Sequence, residues 1–177
     1  MLDRDYVLLM SSYNAWMNEK VYATCEKLSD DERKLDRGAF FRSIHGTLNH
    51  LVWADRANLS RLLEWNLSIG KPSEILFDDF AALRLERTRL DSLLLQWAEQ
   101  LPEGKLAESY ELVSVAYQRR RQMPRYLLVT QIFNHQTHHR GQLTTLLTQL
   151  GHDVGSTDLP FSPYADGLCA DLPFEKA

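Results

Sequence analysis

An all-α fold, a four-helix bundle with a short extended or hairpin insertion before its last long helix, is what the chain's apolar spacing predicts. Three observations carry that expectation. Apolar residues recur at helical intervals in four long segments. Capping or helix-stopping residues stand near the ends of those segments. The one stretch that loses the period, Leu106 to Tyr117, falls between the third and fourth segments.

From Asp5 to Leu28 the residues Tyr6, Met10, Tyr13, Met17, Val21 and Leu28 trace the stripe of an amphipathic helix. Ser29-Asp30-Asp31-Glu32 has the spacing of a capping box and predicts a short helical turn after it. A loop around Gly38 precedes a second helix, whose stripe runs through Ile44, Leu48, Leu51, Asp55, Leu59 and Leu62 and ends near Trp65. Gly46 within it lowers helix preference by about 1 kcal/mol relative to alanine. Residues 66–79 hold Gly70 and Pro72 and predict a crossing loop, with Asp78 or Asp79 as the next N-cap.

The third helix is expected to reach Gln100, with Leu83, Leu90, Leu94, Trp97 and Leu101 inward and Arg84, Glu86, Arg87 and Arg89 on the wet face. Pro102-Glu103-Gly104 stops it. Tyr110, Leu112, Val113, Val115 and Tyr117 favour extended structure, a strand or hairpin arm closed by the polar run Gln118 to Gln122. Pro124 suits the first turn of the last helix, which runs to Leu150 before Gly151 ends it. The tail from about residue 153 carries Pro160, Pro163 and Pro173 and reads as mostly irregular. The whole, residues 1–177, is expected to be one domain.

Composition narrows the function classes. A formal charge of -4 offers no global positive field for DNA, RNA or acidic lipid, which argues against a nucleic-acid partner. Cys25 and Cys169 are the only cysteines, too few for a disulfide framework or a thiolate cluster, so a reducing, cytoplasmic location is expected. Neither a signal peptide nor a membrane span is apparent. The one basic patch, Arg119-Arg120-Arg121 with Arg125, could meet an anionic metabolite or nucleic acid, although adjacent charges in a polar turn are usually solvated and the acidic whole weakens the nucleic-acid case.

The chemistry concentrates in Phe133-Asn134-His135-Gln136-Thr137-His138-His139-Arg140-Gly141-Gln142, which holds three of the six histidines. Four residues advance a helix by about 40° beyond one turn, so His135 and His139 point the same way and can share one ion. With Gln142 and Leu146 they interrupt the stripe that should face the core. Burying unpartnered imidazoles costs about 1–3 kcal/mol each, a cost that metal coordination removes. His138, three residues from His135, is an alternative partner. A third ligand from another helix can be His50 or His45. His50 lies about 160° from the Leu48/Leu59 stripe, so it turns inward only if its helix is buried on more than one side.

Leu48-Asn49-His50-Leu51-Val52-Trp53-Ala54-Asp55 together with His135-x-x-x-His139-Arg140-Gly141-Gln142 resembles the histidine motifs of the DinB/YfiT-like superfamily of metal-binding four-helix bundles, over Tyr6 to about Gly151. The resemblance implies metal ligation by His50, His135 and His139, with open coordination positions. Three neutral imidazoles suit a divalent transition metal, zinc or nickel first, with iron or manganese as alternatives. The resemblance further implies a small-molecule thiol or electrophile as substrate, since relatives include thiol-dependent S-transferases and a maleylpyruvate isomerase. A metal-dependent hydrolase, a non-enzymatic metal-stabilised structural or stress-response protein, and a homodimer are the other expectations it raises.

Around this site, Asp55 offers a carboxylate that could act as an acid or base or simply accept a bond from Tyr13 or Trp16. Gln142 could orient water or a ligand ring, and Arg140 reads as a surface partner of carboxylates. Asn14, Trp16, Trp53 and Tyr110 are candidates for a pocket wall, and Cys25 has no histidine beside it in sequence to activate it.

Overall fold

The computed structural model describes residues 2–65, 70–114 and 118–170. Asn66, Val115, Tyr117 and Pro173, which the sequence reading used, lie outside them. Four long helices, α1 (Arg4–Cys25), α3 (Ile44–Leu62), α4 (Phe80–Glu99) and α5 (Arg125–Gln149), are joined by a short α2 (Asp30–Lys34) and a hairpin of β1 (Ser109–Ser114) and β2 (Arg119–Pro124). A final short helix, α6 (Pro163–Asp166), closes the described chain.

The caps explain the boundaries. Asp3, Ser43 and Asp79 each accept a backbone N–H from the first turn of α1, α3 and α4. Ser29 and Glu32 form both halves of the capping box that starts α2. At the end of α5, Gly151 takes φ +80° while the N–H groups of Gly151 and His152 bond back to Thr148 and Leu147, a Schellman arrangement that satisfies the last carbonyls. Pro124 falls one residue earlier than expected, as the N-cap in extended conformation.

α1 packs on α4 and α5, and α3 packs on α4 and α5, so the four helices close a ring around one core. Leu48, Leu59, Leu83, Leu90, Leu94, Ile132, Leu143 and Leu147 fill it. The path between the second and third long helices, which the sequence leaves open, links neighbours: α3 and α4 pack on each other, so the crossing expected there falls elsewhere. The connections through α2 and through the hairpin are the ones that link non-adjacent helices.

Two further corrections concern faces and one concerns the hairpin. The inward side of α1 includes Ser11, Asn14 and Asn18 beside Val7, Met17 and Val21, whereas Tyr6 is exposed. Arg87, assigned to the wet face of α4, is 2% exposed. The polar run Gln118 to Gln122 does not merely close the hairpin, because residues 119–124 form a second strand antiparallel to β1. The tail also packs back on α1: Tyr13 donates its hydroxyl to the Thr157 carbonyl at 2.6 Å, and Lys20 donates to that of Ser156. Among the described residues, no helix is long and apolar enough to cross a membrane.

Candidate metal centre

α3 is covered on nearly every side. Apart from Trp53, Arg56, Asn58 and Arg61, all of its residues are buried, which is why His50 points inward despite lying far from the leucine stripe. Across the α3–α5 seam it meets His135 and His139, one turn apart on α5, their rings edge to face with centroids 4.5 Å apart. One nitrogen from each of the three imidazoles lies within 4.8 Å of the others.

Outer contacts fix two of these rings. The Pro72 carbonyl accepts from His50 Nδ1 at 2.9 Å, and Gln142 Oε1 accepts from His139 Nδ1 at 2.8 Å. Each bond places the proton on Nδ1 and leaves Nε2 with a free lone pair, the tautomer a metal ligand requires. His50 Nε2 faces His135 Nε2 at 3.1 Å. Two nitrogens held about 2.0–2.1 Å from one ion at tetrahedral or octahedral angles lie about 2.9–3.4 Å apart, so this spacing fits a shared cation. His135 Nδ1, buried, has no hydrogen-bond partner among the described residues.

Electrostatics favours the neutral rings that such an ion needs. Burial lowers the pKa of all three, and for His135 the further repulsion from His139, His50 and His138 brings it to about 3. The trio therefore offers uncharged donors across the neutral range.

The site opens into a cleft of about 560 Å³. Phe40, Phe41, Pro72, Ser73, His138 and Gln142 line it together with His50 and His139. The Phe41 ring lies near-parallel to His50 at 3.8 Å, with Trp53 near-parallel to the same imidazole at 5.9 Å. Gly46 permits this: a Cβ there would collide with the Phe41 carbonyl. Sequence reasoning named Trp53 but missed Phe40, Phe41, Pro72 and Ser73, which come from loops whose approach no periodicity reveals.

Other candidates fall elsewhere. His45 Nε2 donates to the Phe77 carbonyl at 2.9 Å and is not one of the three converging rings. His138 is exposed and bonds Gln142 at 3.3 Å. Trp16 packs under Lys20, and Tyr110 belongs to the hairpin. The Cys25 thiol is buried and pushed up to about 12 by desolvation, which excludes it as a nucleophile.

Asp55 does not reach the cleft. It is 1% exposed, pairs with Arg87 at 2.7 Å and accepts from Gln136 at 2.6 Å; neither Tyr13 nor Trp16 is its donor. Arg87 also holds Asp91 at 2.9 Å, and Asp91 accepts from Asn18 at 2.9 Å and Asn14 at 3.2 Å. Arg140, expected at the surface, is 4% exposed and completes the circuit by donating to Asn14 and to Gln136. Burial lowers the Arg140 guanidinium to about 10 and raises the Asp91 carboxyl to about 6. The circuit ties α1, α3 and α4 to the residues that follow His135 and His139 on α5, and so sets the rotation of the ligand-bearing helix.

The DinB family model matches residues 1–172. The chain belongs to the DinB family. Among solved structures, a DinB-like protein from Bacillus cereus ATCC 10987 superposes with a TM-score of 0.60 at 19% identity, over 80% of this chain and 90% of that one. That likeness supports the fold. The comparison with curated proteins finds no match. Within this DinB-family chain, the three histidines named from the sequence motifs are the three that the fold brings together.

Proposed function

We propose that this DinB-family protein binds one divalent transition metal, zinc or nickel before iron or manganese, through His50, His135 and His139, and uses it on a small molecule admitted by the cleft. The convergence of three neutral imidazoles, two with Nδ1 already engaged, is the observation that carries this reading. We read the helix ring as a four-helix bundle forming a single domain, working in the cytoplasm and pairing as a homodimer.

A bound ion with three protein ligands and open positions would supply Lewis-acid polarisation and lower the pKa of a water or thiol reaching it. The chain's own residues do the rest. Phe41 and Trp53 hold the His50 ring in plane, Gln142 orients His139, and His138 offers a hydrogen-bonding group at the cleft wall. Among the described residues, the cleft lining carries no carboxylate. A thiol-dependent S-transfer, in which a thiol held by the ion would displace the leaving group of an electrophilic co-substrate, fits that lining better than a hydrolase needing a carboxylate base.

Elemental analysis of untagged protein is expected to give close to one metal per chain, and His135→Ala to abolish it. Metal retained in full by His135→Ala overturns the assignment. A second reading, a non-enzymatic metal clip, is favoured by the ligands coming from two different helices, α3 and α5. It predicts a large fall in melting temperature on chelation and no turnover in a screen of thiols with electrophiles.

A further inference from the structure

The Arg119-Arg120-Arg121 run, which the metal centre leaves unexplained, forms part of a second site. Strand alternation divides it. Tyr110 pairs with Met123 and Leu112 with Arg121, so Tyr110, Leu112, Arg119, Arg121 and Met123 share the hairpin face turned toward α3 and α5. Arg120 falls on the opposite face, where it pairs with Glu111. Between the inner face and the two helices lies a groove of about 650 Å³, within the range of small-molecule sites.

Its chemistry is two-sided. Tyr110, Leu112, Met123 and Leu127 make an apolar floor, and Leu127, 42% exposed, is a large apolar side chain left open to the groove. Arg61 of α3 lines it together with Arg119 and Arg121, its guanidinium steadied on its own helix by the Ala57 carbonyl and Asn58. No acidic residue lines the groove among the described residues. The nearby Glu64 and Glu108 are engaged by Arg125 at the hairpin base, and Glu111 by Arg120 outside. On a chain of net charge -4, three arginines thus gather over apolar surface.

We propose that this groove binds a small amphipathic carboxylate, its acid group held by Arg61, Arg119 and Arg121 and its apolar body lying on Tyr110, Leu112, Met123 and Leu127. Guanidinium forks match a carboxylate bidentately, and the floor supplies the area that a plain inorganic anion would not use. The site is separate from the histidine cleft and does not depend on a metal.

Calorimetric titration of the full chain with decanoate, below its micellar range, tests this. Saturable binding at one site per chain is expected, with Arg121→Gln weakening it about tenfold or more and Arg121→Lys keeping part of it. Arg120→Gln, on the outer face, is expected to leave affinity within about twofold, and decanol to bind about tenfold or more weaker than decanoate. His135→Ala is expected to bind decanoate as the parent does. Non-saturable uptake, equal effects of Arg120→Gln and Arg121→Gln, decanol as tight as decanoate, or loss of binding in His135→Ala would each overturn the proposal.

Discussion

Replacing Arg87 with methionine isolates the buried polar circuit beneath the histidines. Arg87 holds Asp55 at 2.7 Å and Asp91 at 2.9 Å, and all three side chains are at most 9% exposed. Burial disfavours the guanidinium charge, but Asp91 and Asp55 more than offset this, and its pKa is raised. Removing it strands two carboxylates that keep only amide donors, Gln136 for Asp55 and Asn14 and Asn18 for Asp91. Breaking a buried pair from one side costs about 3–5 kcal/mol, because the remaining charge is uncompensated. For a chain of this size that is about 6–20 °C in melting temperature. Urea and thermal unfolding of chelated protein, so that metal contributes nothing, measure it. Adding Asp55→Asn and Asp91→Asn to Arg87→Met should recover much of the loss by removing the stranded charges. A loss below about 1 kcal/mol, or no recovery in the triple variant, would refute the electrostatic argument.

Other outcomes follow from the same geometry. Gln142→Leu frees His139 Nδ1 and should weaken metal binding about 10–100-fold while leaving the far-ultraviolet spectrum unchanged; competition with a chromophoric chelator reads it. Gly46→Ala should destabilise the fold by about 1–3 kcal/mol despite alanine's better helix preference, because its Cβ meets the Phe41 carbonyl; urea unfolding checks the sign. Metal-free protein should lose stability as pH falls below about 6.5, because the unfolded chain then binds protons that His45, His50, His135 and His139 refuse until lower pH. His135 alone bounds the slope at about 1.4 kcal/mol per pH unit down to about 3, less in practice because its ring is partly solvated. Asp91, raised to about 6, opposes the trend between about 3.8 and 6. Four imidazoles against one carboxyl leave the net direction downward, and stability flat or rising on acidification contradicts it.

Helices were legible because their signals are local. The capping box at Ser29 and Glu32, the Asp79 cap and Gly151 each act within a few residues of the boundary they set. β2 was not legible, since Arg119 to Gln122 show no apolar alternation and become a strand only by pairing with β1. His135 and His139 could be read from one helix's period. His50 could not be separated from His45 by phase, because α3 is buried on almost every side, and only the motif resemblance chose it. Arg87 and Arg140 were assigned to the surface by charge. Their carboxylate and amide partners come largely from other helices, Asp55, Asn14 and Asn18, and no single-helix pattern announces them.

Diffraction at the absorption edge of the metal, from crystals loaded with zinc or nickel, tests the central claim most directly. The anomalous peak is expected between His50, His135 and His139, about 2.0–2.2 Å from one nitrogen of each. A peak at any other place on the chain, or rings drawn apart beyond about 8 Å in a metal-loaded crystal, contradicts it, since no single ion spans that gap.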